Sequence, residues 1–63
     1  MTDELRSSFY SLPREIRQHY VWKIDRISSI NAHDAYIVIH RMDGCVDIWA
    51  LVLGRWEITE KAA

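Results

Sequence analysis

One cysteine, Cys45, occurs in 63 residues, so no disulfide can form within the chain, which suits a reducing compartment. No apolar run approaches the ~20 residues of a membrane-spanning helix. The opening "MTDELRSSFY" lacks the basic and apolar regions of a secretion signal. The expectation is a soluble cytoplasmic protein with no membrane association. Neither sign of charge dominates: the formal net charge is -1, which supplies no strong field to gather phosphate backbones. There is no internal repeat, no low-complexity stretch and no linker. Gly-rich phosphate loops, paired Cys-x-x-Cys and His-Glu-x-x-His are also missing, which argues against nucleotide hydrolysis and zinc fingers. No cofactor is expected.

What is present points to one small domain, residues 1-63, that folds with little to spare. A chain this short buries only about 60% of the surface its unfolded form exposes. Its core seldom supplies more than about 3 to 5 kcal/mol. Hydrophobic residues make up 49% of the chain, a composition that folds rather than stays disordered. Three tryptophans, Trp22, Trp49 and Trp56, are more than so small a core readily hides. Large aromatics are enriched at the centres of interfaces.

Along the chain, residues 1-10 read as a mobile arm or a short helix and residues 60-63 as a polar tail. Pro13 suits a first helical position, with Ser11 upstream as cap. A helix from about Leu12 to Tyr20 would put Leu12, Ile16 and Tyr20 on one core-facing stripe. The segment "VWKIDRISSIN" reads better as a strand, Trp22 and Ile24 alternating with Lys23 and Asp25. One long helix from Pro13 to about Ser29 is the alternative, because Ile16, Tyr20, Ile24 and Ile27 keep helical phase. "NAHD" is a loop. "AYIVIHRM" and "CVDIWALVL" are two strands joined by Asp43-Gly44, a strong signal for a tight hairpin. Past a turn at Gly54, "RWEIT" extends the strand or forms a fourth. The expected fold is α+β: one N-terminal amphipathic helix packed on a three- or four-stranded antiparallel β-meander. A long helix with a single hairpin is the alternative.

A two-residue hairpin loop would set His40 opposite Asp47, Ile39 opposite Ile48 and Val38 opposite Trp49. One sheet face would then carry Ile37, Ile39, Val46, Ile48, Ala50 and Val52 under the helix. The other would carry Tyr36, Val38, His40, Met42, Cys45, Asp47, Trp49 and Leu51, and its apolar content marks a partner surface. In this register His40, Asp47 and Cys45 converge. Three groups fall short of a structural zinc site, and His33 and Asp34 lie at the far end of the strand, so the reading is a cross-strand contact and no metal. A flat sheet surface also gives Cys45 and His40 no cleft for nucleophilic catalysis, and no enzyme is expected.

The leading functional expectation is a small non-enzymatic protein-binding module. It would dock through an aromatic sheet face built from Tyr36, Val38, Trp49 and Leu51, with Trp22 and Trp56, and would be a homodimer or partner-dependent. Small cofactor-free chains of this type are often regulators or inhibitors of a host protein complex, including those encoded by phages or mobile elements. The alternative is a nucleic-acid-binding regulator using Arg14, Arg17, Lys23 and Arg26, with His19 between them and Glu15 and Asp25 diluting the patch. A subunit completing a larger assembly is a third possibility.

Overall fold

The computed structural model describes residues 2–21 and 23–61. Two short helices, α1 (Asp3–Tyr10) and α2 (Arg14–His19), lead through a 3-10 turn (Ile24–Arg26) into four strands, β1 (Ile27–Ala32), β2 (Tyr36–Arg41), β3 (Val46–Val52) and β4 (Arg55–Lys61). The strands form an antiparallel sheet in the order β1-β2-β3-β4. This is the α+β meander, with four strands; the long helix with one hairpin does not form.

The single expected helix is two. Thr2 caps α1, its hydroxyl accepting from the Leu5 N–H at 3.1 Å, and Asp3 and Glu4 sit in the first turn, where carboxylates favour the helix dipole. Leu5 and Phe9, four apart, turn toward the core, and Phe9 is buried. The segment 1-10 is therefore a docked helix over the residues described, not an arm. Ser11 serves the end of α1 and not the start of α2: its N–H reaches the Ser7 and Ser8 carbonyls and its hydroxyl donates to the Ser7 carbonyl at 3.0 Å. Pro13 itself stands at the N-cap of α2, without a side-chain cap. Leu12, Ile16 and Tyr20 are all buried, as their spacing predicts.

Of the segment 21–31 expected as strand, the residues from Ile27 on belong to β1, while Val21 and Lys23 are turn residues and Ile24–Arg26 a 3-10 turn. The Lys23 N–H donates to the Tyr20 carbonyl and the Arg26 N–H to the Lys23 carbonyl. These turns keep the inward phase of Tyr20, Ile24 and Ile27 without prolonging the helix: Ile24 packs against the core and Ile27 is buried. Trp22 itself lies outside the described residues. Strand β1 starts at Ile27 and carries a bulge at Ser28, two steps on β1 matching one on β2 between Ile27 opposite Arg41 and Ser29 opposite His40. The expected tail is partly strand, since Glu60 and Lys61 belong to β4.

The β2–β3 hairpin corrects the expected register. Its loop has three residues, Met42, Asp43 and Gly44. The Gly44 N–H closes on the Arg41 carbonyl at 3.2 Å, the Arg41 N–H on the Cys45 carbonyl at 2.9 Å, and Gly44 stands at φ 90. Asp43 Oδ1 accepts from the Cys45 N–H at 3.0 Å, pinning the turn. This is a type I turn followed by a left-handed residue, the usual three-residue solution. Ile39 consequently faces Asp47, His40 faces Val46, Val38 faces Ile48 and Ile37 faces Trp49. A one-residue slip moves every side chain of a strand to the opposite face. Asp47 and Trp49 join Ile37 and Ile39 beneath the helices, while Val46, Ile48 and Ala50 turn outward. The two-residue turn occurs at the next hairpin, where Leu53 (φ 52) and Gly54 (φ 77) link Val52 to its partner Arg55.

Phe9, Leu12, Ile16 and Tyr20 from the helical half meet Ile27, Ile37, Ile39 and Trp49 from the sheet. At about 25 cal/mol per Å² of apolar area, these contacts supply most of what holds so small a fold together.

Candidate docking face

Residues on the side of the sheet away from the helices stand in rows across the strands. Tyr36, Ala50 and Glu57 form one row, Asn31, Val38, Ile48 and Thr59 the next, and Ser29, His40 and Val46 a third. None belongs to the buried core. Val38, Val46, Ile48 and Ala50 are half-buried, shielded by their neighbours within the sheet, and Tyr36 and Val52 are exposed. An antiparallel sheet with one wet face ordinarily shows polar residues there. The middle two strands here show β-branched and small apolar ones.

Of the residues expected to dock, Tyr36 and Val38 lie on this face, with the Tyr36 ring stacked on His33 at 4.3 Å between centroids. Trp49 does not: it is 5% exposed, inside the core. Leu51 follows Trp49 by two residues and shares the helix side, beyond the reach of the helices, so it is exposed. Trp56, paired with Leu51, packs against the core from β4. The centre of the open face on β2 and β3 is thus aliphatic with Tyr36 at one end and His40 at the other, and the outer strands border it with the polar Ser29, Asn31, Arg55, Glu57 and Thr59. Sequence reading missed Val46, Ile48, Ala50 and Val52 as outward residues because Asp47 looked like the polar, outward member of the alternation.

Asp47 is 0% exposed and is the hub of a buried polar network. The Tyr20 hydroxyl donates to its Oδ2 at 2.5 Å, and the Trp49 indole N–H donates to the Tyr20 oxygen at 3.0 Å. Burial, and next the bond to Asp47, holds the Tyr20 phenol well above its ordinary ionisation range. Arg41 comes within 3.8 Å of Asp47 Oδ1 and also pairs with Glu60 at 3.0 Å and Asp43 at 3.3 Å. His19 stacks edge-on against Trp49, 5.2 Å between centroids. The convergence of His40, Cys45 and Asp47 is therefore broken: Asp47 is under the helices, and His40 is on the outer face opposite Val46. Cys45 is a half-buried free thiol at the turn. Among the described residues no cluster of three or more His, Cys, Asp or Glu is placed to hold a metal ion.

The basic residues divide. Arg14 and Arg17, one turn apart on α2, line a groove of about 380 Å³ whose walls include Phe9, Tyr10, Val21 and Ile24. Lys23 and Arg26 do not line it and are exposed.

No protein-family model, no curated protein and no solved structure matches this chain. No helix among the described residues is long and apolar enough to cross a membrane.

Proposed function

We propose that the chain is a non-enzymatic protein-binding module that docks through the open face of its sheet, with Val38, Val46, Ile48 and Ala50 at the centre and Tyr36 and Val52 at the margin. The observation that carries this reading is the uncovered β-branched row on β2 and β3. Two strands at ~4.8 Å spacing and about five residues at ~3.3 Å rise make an apolar strip of roughly 160 Å², bordered by the polar outward residues of β1 and β4. That is modest beside the few hundred Å² typical of functional apolar patches, so the polar border must share in the contact. It is below the size of a standard specific interface, so weak, transient association is expected.

A second copy of the chain is the first partner to test. The face is flat, built of short side chains, and bears Arg55 and Glu57 of opposite sign, so two copies can stack as the layers of a sandwich do, ~10 Å apart. A module of this kind acts as a regulator or inhibitor by covering a protein surface, and its lone thiol suits the reducing cytoplasm. An origin in a phage or mobile element fits its size alone.

Sedimentation velocity across micromolar concentrations, on the wild type and Ile48→Lys, tests the reading. Reversible association in the wild type, absent in a folded Ile48→Lys, supports self-docking. If the wild type stays monomeric, a photo-crosslinker at position 48 should still capture one defined protein from host extract. Neither association nor capture would remove the face as a docking site.

A further inference from the structure

The groove between α1, α2 and the 3-10 turn combines features that a simple packing defect lacks. Its floor is apolar, formed by the buried Phe9 and the half-buried Ile24, with Val21 at the rim. Arg14 and Arg17 of α2 line it, and no carboxylate is among its lining residues. Neither arginine has an ion-pair partner among the described residues. The Arg17 Nε–H is buried and finds no acceptor there. Buried donors are almost always satisfied. Arg41 Nε and Asp47 Oδ1 are unpartnered too, but they face each other's charged groups inside the core network, whereas Arg17 faces the groove with no carboxylate beside it, which marks it as the place where an acceptor is expected to arrive.

We propose that this groove receives an acidic, apolar peptide segment of a protein partner. An aspartate or glutamate carboxylate meets Arg17 with Arg14 beside it, and a neighbouring apolar side chain enters the cavity against Phe9, Val21 and Ile24. The charge is complementary, and the planar guanidinium fork matches a carboxylate through paired charge-assisted hydrogen bonds. Openness selects a peptide over a free small acid. Tyr10 is 61% and Val21 59% exposed at the rim. A small molecule here would leave much of its surface wet, whereas good ligand pockets enclose most of theirs. A polypeptide that continues across the rim covers both residues. Nucleic acid is the poorer fit, because a phosphate backbone calls for a continuous basic track, and Lys23 and Arg26 lie outside this groove. The site stands independently of docking through the sheet.

The test is an NMR titration that follows the Arg17 Nε–H and the backbone amides of Tyr10 and Val21. The probes are a capped tetrapeptide of alternating aspartate and phenylalanine, its asparagine counterpart, and a thymidine oligonucleotide. Saturable shifts with the acidic peptide, about tenfold weaker with the asparagine peptide, are expected, since the bonds lost are charge-assisted. Arg17→Gln should weaken binding to the same degree. Arg14→Gln, an exposed change that leaves the fold alone, should weaken it in part, and Ile48→Lys should bind as the wild type does. Equal binding of the two peptides, no shift at these residues, or tighter binding of the oligonucleotide overturns the proposal.

Discussion

The Tyr20 hydroxyl and the Asp47 carboxylate, 27 positions apart in sequence, meet at 2.5 Å in the interior and tie the end of the helical half to the middle of the sheet. A buried carboxylate is tolerable only when its charge and lone pairs are met. Tyr20 donates to Oδ2, while Oδ1 accepts no hydrogen bond among the described residues and is met only by the charge of Arg41 at 3.8 Å.

Removing Asp47 should therefore be close to fatal. Asp47→Ala strands the Tyr20 hydroxyl and deprives Arg41 of its innermost carboxylate. Loss of one partner of a buried pair costs about 3–5 kcal/mol, comparable with the total a domain this small can hold. Asp47→Asn keeps an acceptor for Tyr20 and should fold, less stably. Tyr20→Phe should cost about 1–3 kcal/mol, through the unpaired Asp47 oxygen and the unpaired Trp49 indole. Urea melts of the single and double variants should show strong non-additivity; simple additivity would mean that the two groups do not act as a unit.

The faces of β3 can be separated by two neighbouring substitutions. Trp49→Ala, in the core, should cost about 3–5 kcal/mol. Ile48→Ser, on the open face, should change stability far less in the monomer. Thermal melts at low concentration decide between them, and the reverse order would restore the two-residue register.

Leu53 offers a gain. It is 97% exposed and held at φ 52, a left-handed backbone that suits Asn or Gly and burdens leucine. Leu53→Asn should stabilise the fold by about 0.5–1 kcal/mol, as relief of unfavourable backbone geometry typically does, and should remove an exposed apolar tip. Gly54→Ala should lose stability although nothing lies within 4 Å of the added carbon, because its φ of 77 is the obstacle. Equal melting temperatures for both variants and the wild type would show that neither turn residue bears strain.

At alkaline pH the buried phenol should govern stability. The folded Tyr20 keeps its proton above the ordinary value of 10.0, chiefly because burial penalises the phenolate. Above that pH the unfolded chain loses its proton first, so stability falls as pH rises. Phenolate absorbance should show one tyrosine that ionises only as the fold is lost, and Tyr20→Phe should flatten this part of the pH profile.

At acid pH the sign is opposite. The Asp43 carboxyl is held below its usual value of 3.8, first by the Cys45 backbone N–H and also by Arg41. Its contribution is present above that value and is lost as pH falls through the lower, folded one. Asp43→Ala should remove this acid dependence and loosen the β2–β3 turn, measurable as faster amide exchange at Cys45.

Much of the architecture was legible because Leu12, Ile16 and Tyr20 keep helical spacing and β2 and β3 are β-branched and aromatic runs separated by Asp43-Gly44. The register was not, because "RMDGC" accommodates a loop of two residues or three, and only the Arg41–Cys45 backbone bond decides. Asp47 made the wrong choice attractive, since a charged residue in an alternating strand reads as outward. The available clue was Arg41, a cation already out of place on the inward side of β2. A second charge on the neighbouring strand was its natural counterpart, and pairing the two turns β3 over. Tyr36 and Val38 keep their outward face under this correction, while Trp49 and Leu51 turn to the helix side and Ile48 and Ala50 turn outward. The split of the basic residues had no signature in sequence, because the turns after Tyr20 set it.

The outer edges of the sheet also limit how copies of the chain can assemble. Strand β1 is kinked by its bulge at Ser28, and β4 carries Arg55, Glu57, Glu60 and Lys61 along its length. Kinks and charges discourage a further strand from hydrogen-bonding to an exposed border. Lateral growth into ribbons is opposed, while the self-docking proposed for the open face would be complete after two layers. Higher concentration should then fill a closed pair and stop, leaving a discrete particle where an apolar sheet with plain borders would polymerise.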